Sequence, residues 1–169
     1  MKELKVDNVH ALPVIKMVVV NCGVGKQRED KVFIEAVKSD LAKITGQKAQ
    51  ERKAKKAVAG FNVRQGNLVG LRVTLRGRRM NDFVAKFVRV TLPRVRDFRG
   101  VPLKSIDRGG SLNVGLQEQL AWPEINVEKT DVIFGVQVTF VTTARNQEEA
   151  LALFKSRGFV FRADTDDLT

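Results

Sequence analysis

The spacing of apolar residues changes abruptly in the middle of the chain, and this change restricts the possible folds more than any other feature of the sequence. Between Leu68 and Arg76 apolar and polar residues alternate, which predicts a strand with one buried and one wet face. Beyond Gly77, which is expected to turn the chain, the apolar residues follow the spacing of a helix that packs on a core. The residues with this spacing are Met80, Phe83, Val84, Phe87 and Val88. Pro93 is expected to end the helix.

The same two periodicities predict further elements on either side. A β-branched stretch at 14–21 predicts a strand, the glycine-containing segment 22–26 a flexible loop, and residues 29–45 a helix that stops at Gly46. The apolar face of that helix comprises Phe33, Val37, Leu41 and Ile44. Residues 131–143 predict the strongest strand, and Asn146 is expected to cap a last helix that ends at Gly158. The interior face of that strand comprises Val132, Phe134, Val136, Val138 and Phe140. Together these elements predict one α+β domain over 1–169, with a mostly antiparallel sheet flanked by helices.

Two long basic loops are expected at 52–67 and 94–111, and the charge is concentrated around them. The formal net charge is +11, and residues 51–100 hold 14 Lys or Arg against 3 Asp or Glu. A solubilising surface would scatter both signs, so a focused basic block favours contact with nucleic acid. Glycines within the block allow the backbone to approach a partner closely.

Several kinds of chemistry are excluded by what the sequence lacks. His10 is the single histidine and Cys22 the single cysteine, so neither a zinc site of the Cys/His type nor an internal disulfide is expected. The segment 23–26 fails the Walker pattern, because Val20 and Gln27 stand where glycine and Ser/Thr are needed. We therefore expect no enzyme, no cofactor and no metal. No apolar run approaches the length of a membrane span, and a cytoplasmic protein is expected.

Three other classes of protein could carry such a basic block. An RNA-processing factor would bind RNA with it, but the sequence offers no motif for that role. A nucleotide-using enzyme conflicts with the failed Walker pattern. A membrane-surface protein would need a helix with a cationic polar face, whereas the helix at 29–45 carries four acids among its cations. These acids are Glu29, Asp30, Glu35 and Asp40.

Six stretches of the chain, in order, resemble the family of the bacterial form of large-subunit ribosomal protein five. They are Val-Asn-Cys-Gly-Val-Gly at 20–25, Ile-Thr-Gly-Gln-Lys at 44–48, Lys-Lys-Ala-Val-Ala-Gly-Phe-Asn-Val-Arg-Gln-Gly at 55–66, Val-Thr-Leu-Arg-Gly at 73–77, Pro-Arg-Val-Arg-Asp-Phe-Arg-Gly at 93–100 and Trp-Pro-Glu-Ile at 122–125. The resemblance runs from about Pro13 to Phe161.

The resemblance implies a structural constituent of the large ribosomal subunit that binds 5S rRNA in the central protuberance. It implies 5S rRNA contacts by Asn21, Gln47 and Thr74. It also implies that the loop at about 55–66 reaches the peptidyl-site tRNA, and that another surface bridges to small-subunit protein thirteen. Large-subunit rRNA is a further expected partner.

Other candidate RNA contacts come from the positions of the cations and of one aromatic ring. Additional phosphate contacts are expected from Lys26, Lys48, Arg72, Arg76 and Arg78. The contacts expected of the tRNA loop are Lys55, Lys56, Phe61, Arg64 and Gln65. Phe61 has two equally favoured roles, stacking on a base or anchoring the loop to the core.

The chain departs from the family at three places. Family members usually begin with an extra helix, whereas here only the short segment 1–12 precedes Pro13. Met17 stands where the family often has a basic residue, so one phosphate contact is expected to be missing. The acidic segment 163–169 is expected to be mobile and to avoid RNA.

Overall fold

The computed structural model describes residues 8, 11–126, 130 and 132–162. Within them, five strands form one antiparallel sheet in the order β2-β3-β1-β6-β5. Its strands are β1 (Ile15–Gly23), β2 (Gln50–Lys53), β3 (Leu68–Leu75), β5 (Leu112–Leu116) and β6 (Val136–Thr142). Two short strands, β4 (Val101–Pro102) and β7 (Phe161–Arg162), form a separate parallel pair. The predicted α+β class with a mostly antiparallel sheet is confirmed.

The helices have the amphipathic faces that the sequence predicts, and α1 begins two residues later than predicted. Helix α1 (Lys31–Thr45) begins at Asp30, whose carboxylate accepts hydrogen bonds from two backbone N–H groups, and ends at Gly46 in the left-handed conformation, with φ of 65°. Helix α4 (Gln147–Ser156) is capped by Asn146 and followed by Gly158. The predicted apolar face of α1, from Phe33 to Ile44, is buried.

The helical run that starts at Gly77 continues through Pro93. Helix α2 (Gly77–Lys86) passes into a π-helical turn at Phe87–Thr91 and then into α3 (Leu92–Arg94). In the wide turn Leu92 N–H bonds to the carbonyl of Phe87, and Pro93 follows without an N–H to donate. The prediction that Pro93 ends the helix was therefore wrong by one residue, because the helical run ends at Arg94.

The strand predicted over 131–143 is shorter than expected. Residue 131 lies outside the described residues, and β6 begins only at Val136. Before it, the buried side chain of Gln119 takes the place of a neighbouring strand: its Nε2 donates to the carbonyl of Val132 at 2.5 Å, and its Oε1 accepts from Phe134 N–H at 3.0 Å. Phe134 is buried as predicted, whereas Val132 is only partly buried.

The predicted loops contain more structure than the sequence suggested. Residues 22–26 are not a flexible loop, since β1 runs to Gly23 and a 3-10 turn follows at Gly25–Gln27. The segment 52–67 overlaps β2 and forms a hydrogen-bonded hairpin. The segment 94–111 contains β4 and a 3-10 turn at Leu103–Ser105. Strand β5 had not been predicted at all.

The core lies between one face of the sheet and the helices. Phe140 of β6 is at its centre, with ring centroids 5.3 Å from Phe87 and 5.2 Å from Phe159. Phe154 of α4 meets Phe140 edge-on at 6.2 Å. Aromatic rings at these separations gain both from burial and from their quadrupoles, so this cluster joins β6 to the helices.

We predict that Phe140→Ala lowers the free energy of unfolding by about 3–5 kcal/mol, because the removed ring leaves a cavity in a fully buried cluster. Phe61→Ala is the matched control: that ring is 78% exposed, and its removal should change stability by less than about 0.5 kcal/mol. Urea unfolding followed by circular dichroism measures both values. Equal losses for the two variants would contradict this account of the core.

Candidate nucleic-acid interface

The sheet has one buried face and one open face. Along β1, the side chains of Val18, Val20 and Cys22 are buried under the helices, while Val19 and Asn21 between them are only partly buried. The same alternation runs through β3, β5 and β6. We call the second side the open face. Its described residues include Met17, Val19, Asn21, Arg72, Thr74, Gln50, Arg52, Gln137, Thr139 and Asn113. None of these is an acid.

Two of the three residues expected to bind 5S rRNA come together on the open face. Asn21 of β1 is paired in register with Arg72 of β3, and Thr74 is paired with Val19. Asn21 and Thr74 are thus diagonal neighbours on adjacent strands, about 7–8 Å apart between their Cα atoms. Within the described part of the chain neither side chain makes a hydrogen bond, so both remain available to a partner.

Gln47 lies off the sheet, in the segment that leads from α1 to β2. Its backbone is fixed by Thr45, whose hydroxyl lies 3.2 Å from the carbonyl of Gln47 and 3.3 Å from its nitrogen. The side chain of Gln47 is half-buried and makes no hydrogen bond among the described residues. Gln47 therefore lies next to the edge strand β2 and outside the strands that carry Asn21 and Thr74.

The predicted phosphate contacts differ in how they are held. Arg72 lies on the open face, half-buried, and its Nε is shielded from solvent without a hydrogen-bond partner. Arg76, at the start of α2, approaches Sδ of Met17 at 3.5 Å. Arg78 is 95% exposed and lies 3.9 Å from Asp82. Lys26 and Lys48 are also exposed. Of these cations, Arg72 lies on the open face and Arg76 beside it, whereas Lys26, Lys48 and Arg78 lie outside the sheet, so the five do not form one cluster.

Strand β2 adds residues to the open face that the sequence analysis missed. Gln50 is paired with Arg72, and Arg52 with Gly70. Glu51 points to the opposite side, where Lys38 of α1 lies 2.9 Å away. That hydrogen bond raises the pKa of Lys38 and lowers the pKa of Glu51, so the acid stays ionised and neutralised away from the open face. All four residues of β2 are exposed, so apolar periodicity gave no signal for this strand.

The segment between β2 and β3, residues 54–67, continues the strand pair as a structured extension that we call the basic hairpin. Ala54 N–H bonds to the carbonyl of Asn67 at 2.8 Å, and Val58 and Val63 bond to each other in both directions. Its tip is a 3-10 turn at Ala59–Phe61, followed by Asn62 at φ of 51°. Phe61 is 78% exposed, so it does not anchor the hairpin to the core.

Arg28 fastens the tip of the basic hairpin to the body of the protein. Its guanidinium donates to the carbonyl of Asn62 at 2.8 Å and lies 3.5 Å from the carbonyl of Gly25. A cleft of about 1200 Å³ separates the hairpin from the segments around it, with Phe61, Val58 and Ile133 among its apolar lining and Lys26, Lys55 and Lys56 among its cations. The cations of the hairpin itself take no part in the contact between Arg28 and Asn62.

The remaining chemical predictions concern single groups. Cys22 is buried in the sheet, and burial raises the pKa of its thiol to about 11, so it remains protonated and unreactive at neutral pH. No cluster of His, Cys, Asp or Glu that could hold a metal was found among the described residues. His10 lies outside them, as do residues 163–169 and most of 1–12. None of the described helices is long and apolar enough to cross a membrane.

An antiparallel sheet with a polar, acid-free open face, bordered by cations and by a basic hairpin, is the architecture of an α+β nucleic-acid-binding protein. Comparison with known proteins narrows the class. Residues 8–64 match the family model described as Ribosomal protein L5, and residues 68–161 match the model of the C-terminal part of the same ribosomal family. The chain belongs to the ribosomal protein L5 family.

Full-length relatives agree with this assignment. Large ribosomal subunit protein uL5 of Halothermothrix orenii is 46% identical over 161 residues, which cover 95% of this chain and 90% of that protein. The protein of the same name from Prochlorococcus marinus strain MIT 9211 is 47% identical over 163 residues, covering 96% and 91%. The chain is therefore a structural constituent of the large ribosomal subunit and not an enzyme, as the sequence predicted.

We predict that Arg28→Ala loosens the tip of the basic hairpin without unfolding the domain. Loss of the bond to Asn62 should speed amide hydrogen exchange at Val58 and Val63 about three- to tenfold, since one hydrogen bond contributes roughly 0.5–1.5 kcal/mol. Exchange within β1 should not change. Arg64→Ala is the control, because its exposed side chain makes no hydrogen bond in the described structure. Unchanged exchange at the tip in Arg28→Ala would mean that this contact does not hold the hairpin.

Proposed function

We propose that the chain binds 5S rRNA through the open face of its sheet. The observation that carries the proposal is that Asn21 and Thr74, distant in sequence, are neighbours on that face. Their side chains make no hydrogen bond within the described residues, and Arg72 lies beside them. Short uncharged side chains can pair with ribose hydroxyls and phosphates at fixed geometry. The resemblance that assigns these two residues, together with Gln47, to 5S rRNA supports the same partner.

Cations around the open face supply the sequence-independent part of the binding. Arg72 can reach a phosphate from the face itself and Arg76 from beside it, while Lys26, Lys48 and Arg78 can reach other phosphates of the same RNA from outside the sheet. Most of them are exposed and make no strong ion pair, so contact with RNA does not require them to break a stabilising interaction within the protein. Each phosphate neutralised releases counterions, so affinity should fall steeply as salt rises.

We further propose that the basic hairpin contacts the peptidyl-site tRNA. Its contact residues are Lys55, Lys56, Phe61, Arg64 and Gln65. All five are exposed, and Phe61 presents most of its ring to solvent, which favours stacking on a base over anchoring. The hairpin is a structured arm that extends from the edge of the sheet, so its tip can engage a second RNA while the open face holds the first.

Two further contacts complete the proposal and rest on the resemblance alone. One is with large-subunit rRNA beyond the 5S molecule. The other is a bridge to small-subunit protein thirteen across the subunit interface. A bridge of this kind would use surface that neither the open face nor the basic hairpin occupies.

We predict that Gln47→Ala and Thr74→Ala each weaken 5S rRNA binding by roughly 1–3 kcal/mol, because each leaves a polar RNA group without its partner. Filter binding at several salt concentrations measures the effect. The slope of log affinity against log salt should not change, since neither variant removes a charge. Arg72→Gln should instead reduce the magnitude of this slope by about 1, because it removes one cation that contacts a phosphate.

Ser39→Ala serves as the control for these variants, because it removes an exposed hydroxyl from α1, on the helical side of the sheet and away from the proposed contacts. It should bind 5S rRNA like the unmodified protein. Normal binding by Thr74→Ala would remove Thr74 from the interface, and affinity that stays flat across salt would rule out the electrostatic part of the proposal.

We predict that deletion of 57–62 separates the two RNA contacts. The shortened hairpin keeps the pairing of Ala54 with Asn67, and closing a shorter loop costs little, so the domain should fold and still bind 5S rRNA. Ribosomes that carry this variant should release peptidyl-site tRNA faster. Phe61→Ala tests the ring alone and should have a smaller effect in the same direction. Loss of 5S rRNA binding with an unchanged tRNA off-rate would mean that the hairpin serves the other RNA.

A further inference from the structure

A shallow trough crosses the open face over β1, β6 and β5, next to the cleft beside the basic hairpin, with which it shares Gly23 and Gly135. Its volume is about 520 Å³, and its polar lining consists of Asn21, Asn113 and Gln137. None of the cations named above lines it. Of this lining, the resemblance singles out Asn21 alone, because β5 had no sequence signal and Gln137 lies between apolar residues of β6.

Register brings Gln137 directly beside a residue already proposed to bind RNA. Asn21 is paired with Gln137 on one side and with Arg72 on the other, and Arg72 is paired with Gln50. One polar row therefore crosses four strands of the sheet. In the adjacent row Thr139 donates to Asn113 at 2.7 Å, so those two side chains partly satisfy each other. Within the described chain Gln137 and Asn21 make no such bond.

The floor of the trough is exposed backbone. Gly23 and Gly115 lie there with φ outside the left-handed region, and a Cβ added at either would meet no atom within 4 Å. At Gly110, by contrast, an added Cβ would come within 2.8 Å of the Cβ of Ala144. The protein's own packing thus requires glycine at 110 but not at 23 or 115. A strand glycine such as Gly23 or Gly115, which the protein's own packing does not require, is typical of a place where a ligand or another backbone approaches closely.

The chemistry of the row identifies the partner. An amide side chain offers both donors and an acceptor, which suits a ribose 2′-hydroxyl and a phosphate oxygen at once. The trough has no acidic side chain to repel a phosphate and no aromatic ring on which a base could stack. We propose that Gln137 contacts RNA together with Asn21, and that a ribose–phosphate segment lies across β1, β6 and β5 over Gly23 and Gly115. This inference rests on the proposed 5S rRNA-binding function of the open face.

Two variants test the trough from opposite directions. Gln137→Ala removes the amide and should weaken 5S rRNA binding about three- to tenfold, with no change in the salt slope because no charge is lost. Gly115→Val fills the floor with a branched side chain that suits a strand, so the free protein should unfold at the same or higher urea concentration. The same variant should bind 5S rRNA at least tenfold more weakly.

Thr74→Ala and Ser39→Ala, measured alongside, separate failure of this inference from failure of the proposed function. Weakened binding by Gln137→Ala, Gly115→Val and Thr74→Ala, with normal binding by Ser39→Ala, supports the inference. Weakened binding by Thr74→Ala alone overturns the trough and leaves the open face as the RNA site. Normal binding by all four variants overturns both. An equal loss in Ser39→Ala would show a nonspecific effect and would also overturn the trough.

Discussion

Burial of one face of the sheet is the constraint on which the rest of this structure depends. Phe140 lies at the centre of that face, in contact with rings from the π-helical turn, from α4 and from the segment that follows α4. Each of these elements covers the same side, because a strand presents alternate residues to opposite faces and only one set is fully buried. The opposite set is left to solvent. A one-sided core therefore generates a broad polar surface without any element dedicated to forming it.

Charge is sorted by the same geometry. On β2, Glu51 falls on the helical side, where Lys38 of α1 meets it, while Gln50 and Arg52 fall on the open face. Strand pairing thus removes an acid from the surface that would meet a polyanion. The edge strand has no apolar side chain, so its position depends on backbone bonds to β3 and on this ion pair.

The basic hairpin extends this arrangement beyond the core. It continues β2 and β3, and its tip is held at one point by Arg28. Few contacts hold it in place, and its cations remain exposed. Such a division suits the two RNA contacts proposed above, since a rigid face can fix the position of a protein while a lightly held arm adapts to a second partner.

Composition and periodicity determined the α+β class, helix α1 with its end at Gly46, strand β3 and the basic character of the middle of the chain, because each of these depends on consecutive side chains. Tertiary structure alone decided that β2 and β5 are strands, since β2 is exposed throughout and β5 is interrupted by Gly115. It also decided that the side chain of Gln119 would bond to the backbone of Val132 and Phe134, so that β6 begins at Val136 and not at 131. The same holds for the row that Asn21, Arg72 and Gln137 form across the sheet. The physical reason is register: strand pairing joins residues far apart in the chain, and no local pattern records which residue will lie opposite which.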